Sequence, residues 1–285
     1  MDLPGTALAL VFTPTGQLLA TSSTGAIRPY DPVNATTMAQ IDALAPLLTA
    51  PATSSIAPVA VGDLLGSVAL VDFENANLAP IGTTRSAAVV LLAPAAPHTL
   101  MAASLDLSVL QIDLRTAKTT TLISIPYKPV AVDTNGNHVA VAMTHRAIHV
   151  YDVRNLAAPL QVRESGLKLQ TTQLRCREDG YAVASVDGRV AIEYYDPSET
   201  QQALKYAFKC HRAAGDPVDD VFPVVGLQYH LGLLYTAGND TVCLWNERAR
   251  KRIKQYRFNV PCTAMAVGDD LVAVACDEGI RLKKL

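Results

Sequence analysis

Val139-Ala-Val-Ala-Met-Thr-His-Arg-Ala-Ile-His-Val-Tyr-Asp152 is two short strands joined by a turn. A run of small apolar residues stops at Met143, three polar residues reverse the chain, and an alternating β-branched and aromatic run ends on an acid. The same pattern recurs at Leu18-Leu-Ala-Thr-Ser-Ser-Thr-Gly-Ala-Ile-Arg-Pro-Tyr-Asp31 and at Leu233-Leu-Tyr-Thr-Ala-Gly-Asn-Asp-Thr-Val-Cys-Leu-Trp-Asn246. Six dipeptides close such units: Tyr30-Asp31, Val71-Asp72, Ile112-Asp113, Tyr151-Asp152, Tyr195-Asp196 and Trp245-Asn246.

Their successive spacings are 41, 41, 39, 44 and 50 residues, against about 40–45 for one four-stranded blade of a propeller. Six units, with a last one built from Thr263 to Leu285, predict an all-β chain: a single seven-bladed WD-repeat β-propeller domain over residues 1–285. Small residues such as Ala20, Ala140 and Ala237 suit the crowded inner strands, and larger side chains fill the wedges between blades. A β-sandwich with a chance period is the alternative, and so regular a repeat disfavours it. Propellers of this kind usually close by lending an N-terminal segment to the last blade. Only five residues precede the first predicted strand at Thr6, which predicts a last blade of three strands or one with a poorly held outer edge.

The chain has 285 residues, 49% of them hydrophobic and 18% charged, enough apolar material for a sizeable core and too little charge for a disordered segment. A net charge of −2 argues against a protein that coats a phosphate backbone, so no direct nucleic-acid contact is expected. The five cysteines, Cys176, Cys210, Cys243, Cys262 and Cys276, are odd in number and lack a C-x-x-C pair, and they read as reduced thiols inside the cell. Met1 to Gly5 has no basic region followed by an apolar one, and Pro94 breaks the most apolar run, so no membrane partner is expected.

No phosphate-cradling glycine loop, nucleophile elbow or zinc-protease helix motif occurs, which leaves an enzyme reading without a starting point, and no cofactor is expected. His145 and His149 are four apart, but in a turn and strand they do not share a face as they would on a helix, so a metal site is not indicated. The run Arg248-Ala-Arg-Lys-Arg-Ile-Lys254 follows Trp245-Asn246 into a predicted outer strand, where positive charge guards an exposed edge.

Val162-Arg-Glu-Ser-Gly-Leu-Lys-Leu-Gln-Thr171, Gly180-Tyr-Ala-Val-Ala-Ser-Val-Asp-Gly-Arg-Val-Ala-Ile-Glu-Tyr-Tyr-Asp-Pro-Ser198 and Lys205-Tyr-Ala-Phe-Lys-Cys-His-Arg212 resemble the fifth blade of the WD-repeat member of the "budding uninhibited by benzimidazole" checkpoint set. The Gly-Arg-Val-Ala and Phe-Lys-Cys-His-Arg pieces also resemble its sister family, the messenger-RNA export factor that binds a nucleoporin. Asp196-Pro-Ser198, Lys205-Tyr-Ala207 and Arg163-Glu-Ser165 favour the checkpoint branch.

The resemblance implies a non-enzymatic spindle-checkpoint adaptor in the nucleus and at kinetochores, with the cytoplasm as a further compartment. Its implied partners are a checkpoint kinase or pseudokinase carrying a GLEBS motif, and a kinetochore scaffold phosphorylated on threonine in MELT repeats. Carried over by motif, Arg189 meets acidic residues of the GLEBS segment and Lys209 meets the phosphate, with His211 and Arg212 as supports. The bland alternatives are an Arg189 pair with Asp187 or Glu193, and a Lys209 that only caps a blade edge. Two departures stand out. Ser22-Ser-Thr24 replaces the family's first-blade Ser-Trp-Asp turn, and Gln228-Tyr-His-Leu-Gly232 is short, with His230 as the one candidate for an absent basic residue.

Overall fold

Strands that alternate small apolar residues with larger ones fold here into antiparallel meanders, each wedge-shaped because its inner strands are the crowded ones. The computed structural model describes residues 5–13, 15–34, 36–37, 40–42, 47–49, 59–96, 98–215 and 217–285. Seven such meanders are present. Blade one runs Ala7–Phe12, Leu18–Ser22 and Ala26–Asp31, with a split outer strand at Thr36–Thr37 and Ile41–Asp42. Blade two is Leu47–Thr49, Ala60–Asp63, Val68–Asp72 and Asn77–Ile81, and blade three is Val89–Ala96, Thr99–Ser104, Ser108–Asp113 and Lys118–Ser124. Blade four is Pro129–Asn135, His138–Met143, Ala147–Asp152 and Gln161–Glu164.

Blade five is Thr171–Arg177, Gly180–Ser185, Arg189–Tyr194 and Tyr206–Lys209; blade six is Gly226–His230, Leu233–Gly238, Thr241–Asn246 and Lys251–Arg257. Between them Arg212–Ala213 and Asp220–Val221 form a two-stranded hairpin. Blade seven has three strands among the described residues, Ala264–Val267, Leu271–Cys276 and Gly279–Lys284. The expectation of three strands or a poorly held outer edge turns on Met1 to Pro4, which lie outside the described residues.

The core is divided among the seams. Among the described residues seven apolar clusters occur, and each joins two neighbouring blades. The one that decides closure joins Ala7, Leu18 and Tyr30 of blade one to Ala266, Ala273 and Ile280 of blade seven. Side-chain packing and a Thr263 hydroxyl donating to the Ala7 carbonyl at 3.5 Å join the two blades there. Ala20, Ala140 and Ala237 are fully buried, as the need for small residues on inner strands requires. Inner strands surround a central channel of about 560 Å³ whose wall carries Asp133, Gln173, Arg175 and Gln228.

The recurrent acid has a local cause. Asp31 Oδ1 accepts the N–H groups of Val33 and Asn34, Asp72 those of Glu74 and Asn75, Asp152 that of Arg154, and Asn246 that of Ala249. Each side chain thereby closes the turn that leads to the outer strand. The Arg154 side chain and backbone N–H hold the Asp152 carboxyl down to about 2. In blade five the third strand stops at Tyr194, so Tyr195-Asp196 falls just beyond it, where Asp196 still accepts the N–H of Ser198.

Candidate peptide-binding site

Blade five gathers the basic residues singled out from the sequence at one end of the blade. Arg189 opens the third strand and Lys209 closes the outer one, and the two are cross-strand partners. Such partners have Cα atoms roughly 4.5–5.5 Å apart. The turn before Arg189 needs Gly188. Its φ is +64°, and a Cβ there would lie 2.7 Å from the His211 carbonyl oxygen and 2.9 Å from that of Phe222. The Gly-Arg pair is therefore set by backbone geometry as well as by charge.

Asp187 anchors the cluster. Its Oδ2 lies 2.9 Å from Arg189 Nε and 3.9 Å from Arg212 Nη2, and its carbonyl oxygen accepts from Arg212 Nη2 at 3.0 Å. The local alternative for Arg189 is thus present as an ion pair with Asp187, while Glu193 takes Lys205 Nζ at 2.7 Å. The Arg189 side chain stays 40% exposed. An exposed pair of this kind contributes little to stability and leaves guanidinium N–H groups facing solvent. Lys209 is exposed and has no carboxylate within ion-pair distance among the described residues.

His211 does not join them. It is 3% exposed, with Nε2 at 2.9 Å from Thr236 Oγ1 and Nδ1 at 3.2 Å from Thr241 Oγ1. Trp245 Nε1 donates to Thr236 Oγ1 at 3.0 Å, and Thr241 Oγ1 donates to the Gly238 carbonyl. The donors sort in one direction: Thr241 accepts from Nδ1–H, and the Thr236 proton is left for Nε2. Burial pushes the imidazole down to about 4, so the ring is neutral at physiological pH. A neutral, enclosed ring with both nitrogens committed gives no support to a bound phosphate. The expectation for His211 is corrected on that ground: it ties the loop after blade five to blade six.

His230 is corrected likewise. It ends the inner strand of blade six, and Leu231 and Gly232 form the turn with positive φ. In a four-stranded meander that turn lies at the opposite end of a blade from the one before Arg189, and His230 Nε2 sits 3.6 Å from Asp269 Oδ1. Ser22-Ser-Thr24 forms a small polar turn in which Ser22 Oγ accepts the Ala26 N–H. His145 and His149 also have local partners: the His145 ring lies 4.7 Å from that of Tyr127, and His149 Nδ1 is 3.2 Å from the Tyr151 hydroxyl.

Sequence reasoning missed a cluster at the opposite end of blades five and six. Arg177 Nη1 donates to Glu247 Oε2 at 2.7 Å, the Tyr229 hydroxyl donates to Glu247 Oε1 at 2.5 Å, and the Tyr206 hydroxyl donates to the Glu247 carbonyl at 3.0 Å. Arg177 also stacks 4.6 Å from the Tyr194 ring centre. Phe208 packs on Trp245 at 4.5 Å. Together these contacts fix the strand that ends on Lys209 against blade six.

No family model matches the chain. Over 158 residues it is 40% identical to the mitotic checkpoint protein BUB3.1 of Arabidopsis thaliana, covering 53% of this chain and 46% of that protein. Over 278 residues it is 27% identical to the spindle assembly checkpoint protein bub3 of Schizosaccharomyces pombe, covering 94% of this chain and 87% of that protein. The chain resembles the Bub3 checkpoint proteins. A poly(A)+ RNA export protein of Schizosaccharomyces pombe is also similar, 33% identical over 149 residues, with 50% of this chain and 42% of that protein covered. The Bub3 resemblance extends furthest along the chain, and against the Arabidopsis relative it spans less than half of that protein's length.

Proposed function

We propose that this chain is a non-enzymatic adaptor of the mitotic checkpoint, acting at kinetochores by holding peptides at the basic end of blade five. The observation that carries the reading is the pairing of Arg189 and Arg212 with the carboxylate of Asp187, with Lys209 opposite Arg189 across the strand pair, in a chain similar to Bub3 proteins along nearly its whole length. Three cations against one anion leave a net positive spot, which favours acidic or phosphorylated segments.

Arg189 receives an acidic residue of a GLEBS motif from a checkpoint kinase or pseudokinase. A planar guanidinium donates two parallel hydrogen bonds to a carboxylate, and the Asp187 pair holds it ready for that exchange. Lys209, with Arg212 beside it, selects phosphothreonine in the MELT repeats of a kinetochore scaffold. A phosphate brings about −1.5 to −2 charges where a threonine hydroxyl brings none. Between solvated charges about 4 Å apart the attraction is only about 1–4 kcal/mol, so affinity depends on convergence of the two cations or on repeated motifs.

Peptide titration at two salt concentrations tests this. Lys209→Glu is expected to abolish the preference for phosphorylated over plain MELT-type peptide and to leave GLEBS binding nearly unchanged. Absence of a phosphate preference in the wild-type protein at low salt would sink the phosphopeptide reading. The similarity to an RNA export protein keeps one second reading, a nuclear-pore export factor that takes a nucleoporin GLEBS motif in the same way. Affinity capture from mitotic cells separates them, since recovery of a nucleoporin in place of checkpoint and kinetochore proteins selects the export branch.

A further inference from the structure

Six of the chain's 24 lysines and arginines fall within residues 248–257, a stretch with no acid. They are Arg248 and Arg250 in the turn after Trp245-Asn246, and Lys251, Arg252, Lys254 and Arg257 on the outer strand of blade six. All six are exposed, and none has a carboxylate within ion-pair distance among the described residues. Glu247, the acid just before them, is taken by Arg177 and the Tyr229 hydroxyl. The only acids of the sequence outside the described residues are Asp2 and Asp216. Guarding a strand edge takes less charge than this. The described outer strands of blades one and two carry no cation, and those of blades three, four and five carry one each, Lys118, Arg163 and Lys209. Like charges crowded on one strand repel, so the excess on blade six is a cost to the protein alone.

Cross-strand partners share a side of the sheet. Arg252 stands opposite Trp245, which packs into the seam with blade five, and Arg257 stands opposite Thr241 on the same side. Lys254 stands opposite Leu244, which lies in the seam with blade seven, and Lys251, opposite Asn246, shares that side. The strand thus carries two cations along each flank over about 20 Å. We propose that it is a docking rail for a contiguous run of glutamate or aspartate in a partner protein, held in extended form along it. Successive side chains of an extended peptide point to opposite sides, so consecutive carboxylates reach both flanks and meet the cations in charge-assisted hydrogen bonds. Two observations favour a peptide over a nucleic acid. Arg250 lies 4.6 Å from the Tyr206 ring centre and Lys254 4.5 Å from that of Tyr256, so the ring faces beside the cations are already covered and closed to a stacking base. The turns at the two ends of blade seven carry exposed acids, Asp269 and Asp270 at one and Asp277 and Glu278 at the other, which repel the broad phosphate surface of a duplex. The inference does not depend on the checkpoint reading or on the site around Arg189.

The probe is a capped peptide of seven glutamates, titrated against the full chain at physiological ionic strength and then coupled with a water-soluble carbodiimide, which joins glutamate carboxyls to lysine amines. Crosslinks at Lys251 and Lys254 are expected. Arg252→Glu/Lys254→Glu should lower affinity at least about tenfold, whereas Lys118→Glu/Lys168→Glu, an equal change of net charge on two exposed lysines elsewhere, should change it less than about twofold. Should the first double variant melt at a lower temperature, Arg252→Gln/Lys254→Gln takes its place, with a loss of at least about fivefold expected. Equal losses in the two charge-reversed proteins would overturn the proposal by reducing it to bulk charge. Crosslinks confined to Lys209 or Lys283 would overturn it too, as would binding lost in Arg189→Ala, which would place the peptide at the blade-five site. No binding by the wild-type protein would end it outright. A single-stranded thymidine oligonucleotide of equal charge that binds more tightly through Arg252 and Lys254 would assign the strip to nucleic acid in its place.

Discussion

Acid should unfold this protein partly through one side chain. His211 is enclosed by Thr236, Thr241 and Gly238, with Arg252 and Asp240 as its nearest charged influences, and its imidazole is held down to about 4 from an ordinary 6.5. A histidine harder to protonate in the folded state costs nothing above pH 6.5, where both states are neutral. As pH falls through the window from 6.5 to about 4 the unfolded chain takes up the proton first, and stability drops. At about 1.4 kcal/mol per pH unit the full loss is about 3 kcal/mol, complete below pH 4. His138 and His149, both lowered by burial, act with the same sign. Asp133, raised by burial, acts with the opposite sign. The measurement is therefore a difference: urea unfolding of wild type and of His211→Gln at pH 7, 6, 5 and 4.5. The variant is expected to be less stable at pH 7 and to have a flatter pH dependence. Parallel pH profiles would refute the argument. Should the variant not fold, the His211 ring resonance can be titrated in the wild type, and a midpoint near 6.5 would refute it equally.

Three further outcomes follow from the geometry. Arg189→Ala should weaken GLEBS-peptide binding by about 1–3 kcal/mol; unchanged affinity with a lowered melting temperature would assign the residue to its Asp187 pair alone. Glu247→Ala leaves Arg177 and the Tyr229 hydroxyl without their shared carboxylate, and a loss of about 3 kcal/mol in urea unfolding is expected, because breaking a largely buried pair strands the other charge. Gly188→Ala forces a Cβ against two carbonyl oxygens at positive φ. It should destabilise by about 1–3 kcal/mol and, by shifting the turn before Arg189, weaken peptide binding as well; full stability would show that the turn relaxes.

The blade period was legible in the sequence because its marker is local: the acid of each dipeptide accepts N–H groups two or three residues on, so the same short stretch encodes and closes the turn. Arg189 and Lys209 were legible for a similar reason, since they stand in register across two consecutive strands of one blade. His211 was not. Its neighbours Lys209 and Arg212 suggest a polar strand end, while the partners that enclose it, Thr236 and Thr241, are 25 and 30 residues away in the next blade. Glu247 was hidden in the same way, with Arg177 70 residues distant. Contacts across a seam leave no periodic trace, because each joins positions whose spacing depends on loop length. The 50-residue interval before Trp245-Asn246 was the one hint, and it reflects the hairpin at 212–221.

The packed junction between the first and last blades makes closing the circle a binding reaction of the chain with itself. Six junctions have a covalent connection running across them; at the seventh the apolar faces around Tyr30 and Ile280 meet without one. Its strength therefore depends on an effective concentration set by how accurately the other six present the two faces to each other. An angular error of a few degrees per blade adds up around the circumference, so deleting or inserting one blade should leave an open arc whose terminal faces are sticky. In stacked repeat arrays the same error merely bends a rod. Here it decides between a monomer and an open chain of copies joined end to end.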